Sequence, residues 1–290
     1  MPGHGSHWDA IYGANLDVEA IIVRDIQGGR KIDSYPCAGV ANESDLAEEV
    51  ICLRMGDGPI CEDMLVVSDS QKQQRFLFTG YPVIRDGITH TATVVKVEPW
   101  EHGIEGWVHL SVTGEGRSLA FFDTRYYAGT AALQPGQRVD VVLAGLAYSL
   151  EPLVQASIEI DKGALWEMEK QRRLEEGMSA EEAERPVMVL ISGMTAFIPR
   201  DGEYCDDAEF AGVIEAIDTF VHAAQTFYRL DLVLLRNDDE AFHLPIFVSE
   251  QVLDGYVPRL GEDIRGVMWV QGHLSGRYDA STSDHDNSLN

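Results

Sequence analysis

Residues 89–160 and 210–274 of this 290-residue chain run through the same succession of short apolar strands and polar turns. The first copy opens with Thr91-Ala-Thr-Val-Val-Lys-Val-Glu98 and continues through residues 106–113. The turn Gly114-Glu-Gly116 then leads into 117–123, and the copy closes with 133–148. The second copy follows the same order through 210–217, 227–235, a turn at 236–240, 241–248 and 260–274. Placing Gly136 over Gly261 pairs Val139 with Ile264 and Val142 with Val267. Apolar alternation with a period of two, in short runs broken by Gly, Asn and Asp, is the pattern of antiparallel sheet; βαβ units would set a helical period between the strands.

The order strand, strand, strand, longer connection, strand resembles the OB-fold, a five-stranded Greek-key barrel. The resemblance covers about 140 of the 290 residues and rests on apolar alternation plus one glycine per copy. It implies a mainly β protein with minor α, built as two OB-like antiparallel Greek-key barrels at 89–160 and 187–278, joined by a charged helical linker at 161–186. The linker is rich in helix formers, sets Glu169 and Arg173 at the i,i+4 spacing, and offers a capping box in Ser179 and Glu182 ahead of Pro186. Its few apolar residues predict a helix that bridges or projects. Val187-Met-Val-Leu-Ile-Ser-Gly193 reads as a buried strand opening the second half. Residues 1–88 form a β-rich N-terminal region with strands expected at 18–24, 50–55, 64–67 and 76–79. They make either a small subdomain or a cover for the first barrel. Residues 279–290 carry no apolar pattern and read as a disordered tail.

Charge narrows the partners. Asp and Glu number 48 against 22 Lys and Arg, for a net charge of -26, and each of the segments 1–88, 89–160, 161–209 and 210–290 carries more acids than bases. Binding to phosphate backbones needs clustered bases that release counterions; here the longest runs are Arg30-Lys31 and Arg172-Arg173. Nucleic acid and anionic membranes are therefore unfavoured. A protein partner or self-association is expected, and cationic proteins, polyamines and metal ions are electrostatically permitted. The N-terminus lacks a basic head followed by an apolar stretch, and no window approaches the roughly 20 apolar residues of a membrane span, so a soluble, cytoplasmic protein is expected.

Five residues make the candidate binding face. If Val108, Leu110, Leu119 and Phe121 point into the first barrel, alternation sends Trp107, His109 and Phe122 outward, with Arg125 and Tyr126 beside them. Strands two and three of OB-folds form their common ligand surface, where aromatic rings stack on bases or sugars. The alternative is that these rings pack against residues 1–88 or the second copy. Arg229 and Asp231 stand at the corresponding positions of the second copy, so the two copies do not share a stacking function.

Other groups point less far. Cys37, Cys52, Cys61 and Cys205 lack the close pairs of structural zinc sites and read as reduced thiols. The acidic clusters at 206–209 and 237–240 lack EF-hand spacing and read as solvated turns. His4 and His7 offer metal chelation only at the entropic cost of ordering a flexible terminus. No nucleophile elbow or dinucleotide fingerprint is present. The expectation is a non-catalytic binding or assembly protein without cofactor or metal. The competing readings are an oligosaccharide or single-stranded nucleic-acid binder acting through the aromatic face, and a metal-assisted hydrolase using one of the many carboxylate pairs.

Overall fold

The computed structural model describes residues 4–13, 17–36, 49–69, 74–112, 118–200, 204–236 and 241–275. Helices α1 (Gly5–Tyr12) and α2 (Val18–Gly28) precede an antiparallel meander of β1 (Arg30–Pro36), β2 (Glu49–Met55), β3 (Ile60–Asp69) and β4 (Gln74–Ile84). The first copy supplies β5 (Ile88–Pro99), β6 (Gly106–Ser111), β7 (Ser118–Asp123) and β8 (Arg138–Pro152). An arm follows, made of β9 (Ser157–Ile160), α3 (Ala164–Glu175), α4 (Ala180–Ala183) and β10 (Val187–Leu190). The second copy supplies β11 (Ala196–Pro199), β12 (Asp207–His222), β13 (Gln225–Arg236), β14 (Ala241–Ser249) and β15 (Asp263–Leu274). The protein is mainly β with minor α, as expected. No helix among the described residues is long and apolar enough to cross a membrane.

The two copies do not close separately. In the first cycle β5 pairs β6, β6 pairs β7, β7 pairs β15 in parallel, β15 pairs β8 and β8 returns to β5. In the second, β12 pairs β13, β13 pairs β14, β14 pairs β8 in parallel, β8 pairs β15 and β15 returns to β12. Each is a five-stranded Greek-key barrel of OB-like order, and β8 and β15 belong to both. The expected boundary between independent barrels therefore gives way to a double barrel with a shared wall.

The repeat is exact at its key positions. Gly136 and Gly261 both adopt positive φ, at 84° and 80°. The Gly136 N–H donates to Val94 O and that of Gly261 to Ile214 O, and each acceptor residue is followed by a bulge in its own strand. Gly145 lies opposite Val270, its own counterpart, so the pseudo-two-fold axis passes between β8 and β15. These strands approach closely because β15 carries glycine where they meet. A Cβ on Gly266 would lie 2.1 Å from Ser149 O, and one on Gly272 2.3 Å from Val142 O.

Two cores follow from alternation. Val108, Leu110, Leu119 and Phe121 join Leu230, Leu232, Leu244 and Ile246 in one cluster inside the barrels. Trp107, Phe122, Phe247 and Trp269 face the other way, into a second cluster completed by Ile11 of α1 and by Val50, Leu65, Tyr81 and Val83 of the meander. Helix α1 and the meander thus cover the first barrel.

Two local expectations change. Residues 18–24 are helical: the Asp17 carboxylate accepts the Ala20 N–H at 3.0 Å, and Ile21 is buried while Val23 and Ile26 are exposed. N-capping and one-sided burial outweigh the strand preference of Val and Ile here. The strand at 187–190 is no buried opening of the second half but the return of the arm, with Met188 and Leu190 exposed.

Gly266→Ala should cost about 2 kcal/mol, because the added methyl overpacks against backbone that cannot move without opening both barrels. Thermal denaturation followed by near-UV circular dichroism should show one cooperative transition at lower temperature; separate melting of the two halves would contradict the shared wall.

Candidate functional site

The five residues of the proposed face are not brought together on an open surface. Trp107 and Phe122 lie side by side on the consecutive strands β6 and β7, opposite each other in register, but both are buried in the second core. Arg125 is buried against the meander, ion-paired with Asp33 of β1 and lying over the Tyr127 ring. Tyr126 is buried beneath Gly106, where a Cβ would come within 2.5 Å of its ring. His109 stands apart on the barrel rim, half-buried, with Nε2 3.2 Å from Glu98. Alternation places the rings on the expected side of the strands; α1 and the meander then cover that side. At the matching place in the second copy, Arg229 pairs with Asp231 and Asp86 on a more open surface.

Over the covered rings lies a polar cluster supplied by α1. His4 and His7 are buried, with their Nδ1 atoms 2.9 Å apart, so one carries the shared proton and the other accepts it. His4 Nε2 meets Glu105 Oε1 at 2.7 Å, and His7 stacks on Trp269 with centroids 3.7 Å apart. Burial, then the neighbouring His4, holds the His7 pKa well below its ordinary value. The Trp269 indole N–H donates to Asp206 at 2.8 Å, and the Tyr148 hydroxyl to Asp207 at 3.1 Å. Burial raises the Asp206 pKa; burial and repulsion from Asp206 bring Asp207 to about 6. These histidines and aspartates correct the readings of a flexible terminus and of a solvated turn at 206–209; the second acidic cluster, 237–240, lies outside the described residues. Among the described residues no group of three or more His, Cys, Asp or Glu is arranged to hold a metal ion. Cys52 and Cys61 are buried free thiols, and Cys205 is a partly buried one.

The open surface lies elsewhere. The arm leaves the double barrel on the β9–β10 stalk and carries α3, braced by the Glu169–Arg173 bridge, and α4, started by the capping box; the Lys170–Glu184 ion pair and the Arg173 bond to Arg185 O join the two. No residue of α3 is buried. Nine of the seventeen exposed large apolar side chains among the described residues fall between Val154 and Ile198, so exposure is concentrated on the arm and its base. They include Met168, Met178, Met188 and Met194, half of the chain's methionines. At the base, a groove of about 560 Å³ is lined by Leu150, Ile198, Phe210 and Val252, with Arg265 bonded to Glu151 at 2.7 Å along its wall. A helix does form within the expected 161–186 segment, and it has no buried face. The apolar side chains around it went unread because each stands singly among charges, although four methionines within residues 168–194 were a visible signal.

No protein-family profile matches the chain, and no curated protein matches it. Among solved structures, a crystal form of the cytoplasmic molybdate-binding protein ModG with molybdate bound is similar at 13% identity, covering 66% of this chain and 98% of that one, with a TM-score of 0.32. A likeness of that size carries no argument about function.

Asp207 makes a pH dependence testable. Its pKa in the fold lies above the ordinary 3.8, so its contribution to stability is complete below about pH 4 and is lost as pH rises through about 6. Asp207→Asn keeps an acceptor for Tyr148 and removes the buried charge. At about pH 7.5 it should stabilise the protein by about 1 kcal/mol, a value discounted for solvent screening. Thermal midpoints measured against pH should show this gain shrinking as pH falls towards 4.

Proposed function

We propose that this chain acts by binding rather than catalysis, with the double barrel as a base and the arm and its groove as the surface that docks a second copy of the chain. The observation that carries this reading is the concentration of exposed apolar side chains, methionine above all, on a segment that buries almost nothing of its own. Methionine is flexible and polarisable and recurs where a surface must adapt to a partner. Exposed apolar side chains gathered on one segment of an otherwise well-covered protein mark a place for a partner.

Charge restricts where a second copy could dock. Two chains of net charge -26 repel, so contact is least costly where the local charge is smallest. Helix α3 balances Glu167, Glu169 and Glu175 against Lys170, Arg172 and Arg173 and is neutral overall. Stacking of bases or sugars on Trp107 and Phe122 finds less support, since both rings lie beneath α1 and the meander and the sequence holds no cluster of bases.

Size-exclusion chromatography with light scattering tests the reading. The wild-type chain should give a dimer mass at micromolar concentration. Met188→Glu/Leu190→Glu should give a monomer that keeps the wild-type near-UV circular dichroism, because within one chain both side chains are already in solvent. A wild-type monomer at high concentration would sink self-association and leave the arm to a different protein.

A further inference from the structure

His4 fills a cage. Its imidazole lies 5.0 Å from the Tyr81 ring, 5.4 Å from Trp100, 5.0 Å from Phe122 and 6.1 Å from Trp269, centroid to centroid. Trp100 stacks on it at 19°, Phe122 meets it edge-on, and Glu105, itself buried, accepts at 2.7 Å from Nε2. Asp206, held by the Trp269 indole, adds a second carboxylate to the same chamber. Four aromatic rings around one nitrogen-bearing group, with an acidic acceptor at its N–H, is the arrangement that recognises organic cations: ring faces supply negative potential, and a carboxylate supplies the counter-charge.

We propose that Tyr81, Trp100, Phe122, Trp269 and Glu105 form a binding site for a small organic cation, an imidazolium or a methylated ammonium, which the chain's own His4 occupies as an internal ligand. The site does not depend on the arm. The attachments of α1 leave His4 free to be displaced without undocking the helix. Beyond His4 the helix is held by His7, stacked on Trp269 with centroids 3.7 Å apart, and by three hydrogen bonds: Trp8 Nε1 donates to Gly80 O, Ser249 Oγ to Ala10 O, and Gln225 Nε2 to Ile11 O. As N-cap of α1, His4 makes no side-chain capping bond, so turning its ring out removes its side-chain bonds to His7 and Glu105 and its ring contacts and leaves the His7 and Trp8 N–H groups on its carbonyl. A tethered occupant competes at a high effective concentration, so the intact chain binds a free cation weakly and loss of the His4 ring unmasks the site. The net charge of -26 favours arrival of a cation from every direction.

Titration with tetramethylammonium, followed by tryptophan fluorescence at constant ionic strength, tests this. His4→Ala should bind at least tenfold more tightly than the wild-type chain and at least tenfold more tightly than it binds tert-butanol, a neutral probe of similar shape. Adding Glu105→Gln should weaken the gained affinity about tenfold. Equal response to tert-butanol would show an apolar hole rather than a cation site, and no saturable response in a folded His4→Ala chain would overturn the proposal. Should His4→Ala fail to fold, the wild-type chain still decides. Its His4 ring proton resonances should move towards solvent-exposed positions with tetramethylammonium and stay in place with sodium chloride at equal ionic strength; no movement at saturating tetramethylammonium refutes the site.

Discussion

β8 and β15 run antiparallel from Val141 opposite Leu274 to Pro152 opposite Ile264, and each of them is a wall strand of both barrels. A strand ordinarily satisfies two neighbours; these satisfy several along their length, because one half of each faces its own copy and the other half faces its twin. Neither copy can bury its apolar interior alone, since each lacks the strand that would seal it. Packing and closure are thereby one cooperative event, and the merged interior cluster, which takes residues from both copies, is its energetic expression.

The N-terminal region is fixed to that base through directional bonds as well as apolar contact. Gln271, fully buried on β15, accepts the Ile84 N–H and donates to Pro82 O, and the Tyr81 hydroxyl donates to Thr124 O. Within the meander, Arg54 and Asp63 form a buried two-point ion pair at 2.6 and 2.5 Å. Such a pair adds little net stability, but losing either partner leaves an unpaired charge in a dry interior, so it holds the meander to one arrangement. The rings of the first barrel are therefore covered by a layer whose position is specified.

What could be read from the residues was the strand rhythm. Alternation placed Val108, Leu110, Leu119 and Phe121 on one side and Trp107 and Phe122 on the other, and the superposition of Gly136 on Gly261 marks the true repeat, since both glycines close the same turn. Period-two patterning says which side a residue faces but neither which strand lies alongside nor what lies beyond. The exchange of β8 and β15 between barrels was invisible for the first reason. The burial of Trp107, Phe122, Arg125 and Tyr126 was undecided for the second. His4, His7, Asp206 and Asp207 depart from the expectation because polar residues near a terminus or a turn ordinarily face water; here each finds a buried partner.

The arm returns to where it started, with Leu190 opposite Ser157 on the stalk. Topologically it is a side branch: whatever lies between those two positions can grow, shrink or be exchanged without shifting the register of any shared strand. A scaffold whose walls tolerate no added methyl thus carries its variation at one junction, and that junction is where a foreign recognition module could be grafted with the double barrel left intact.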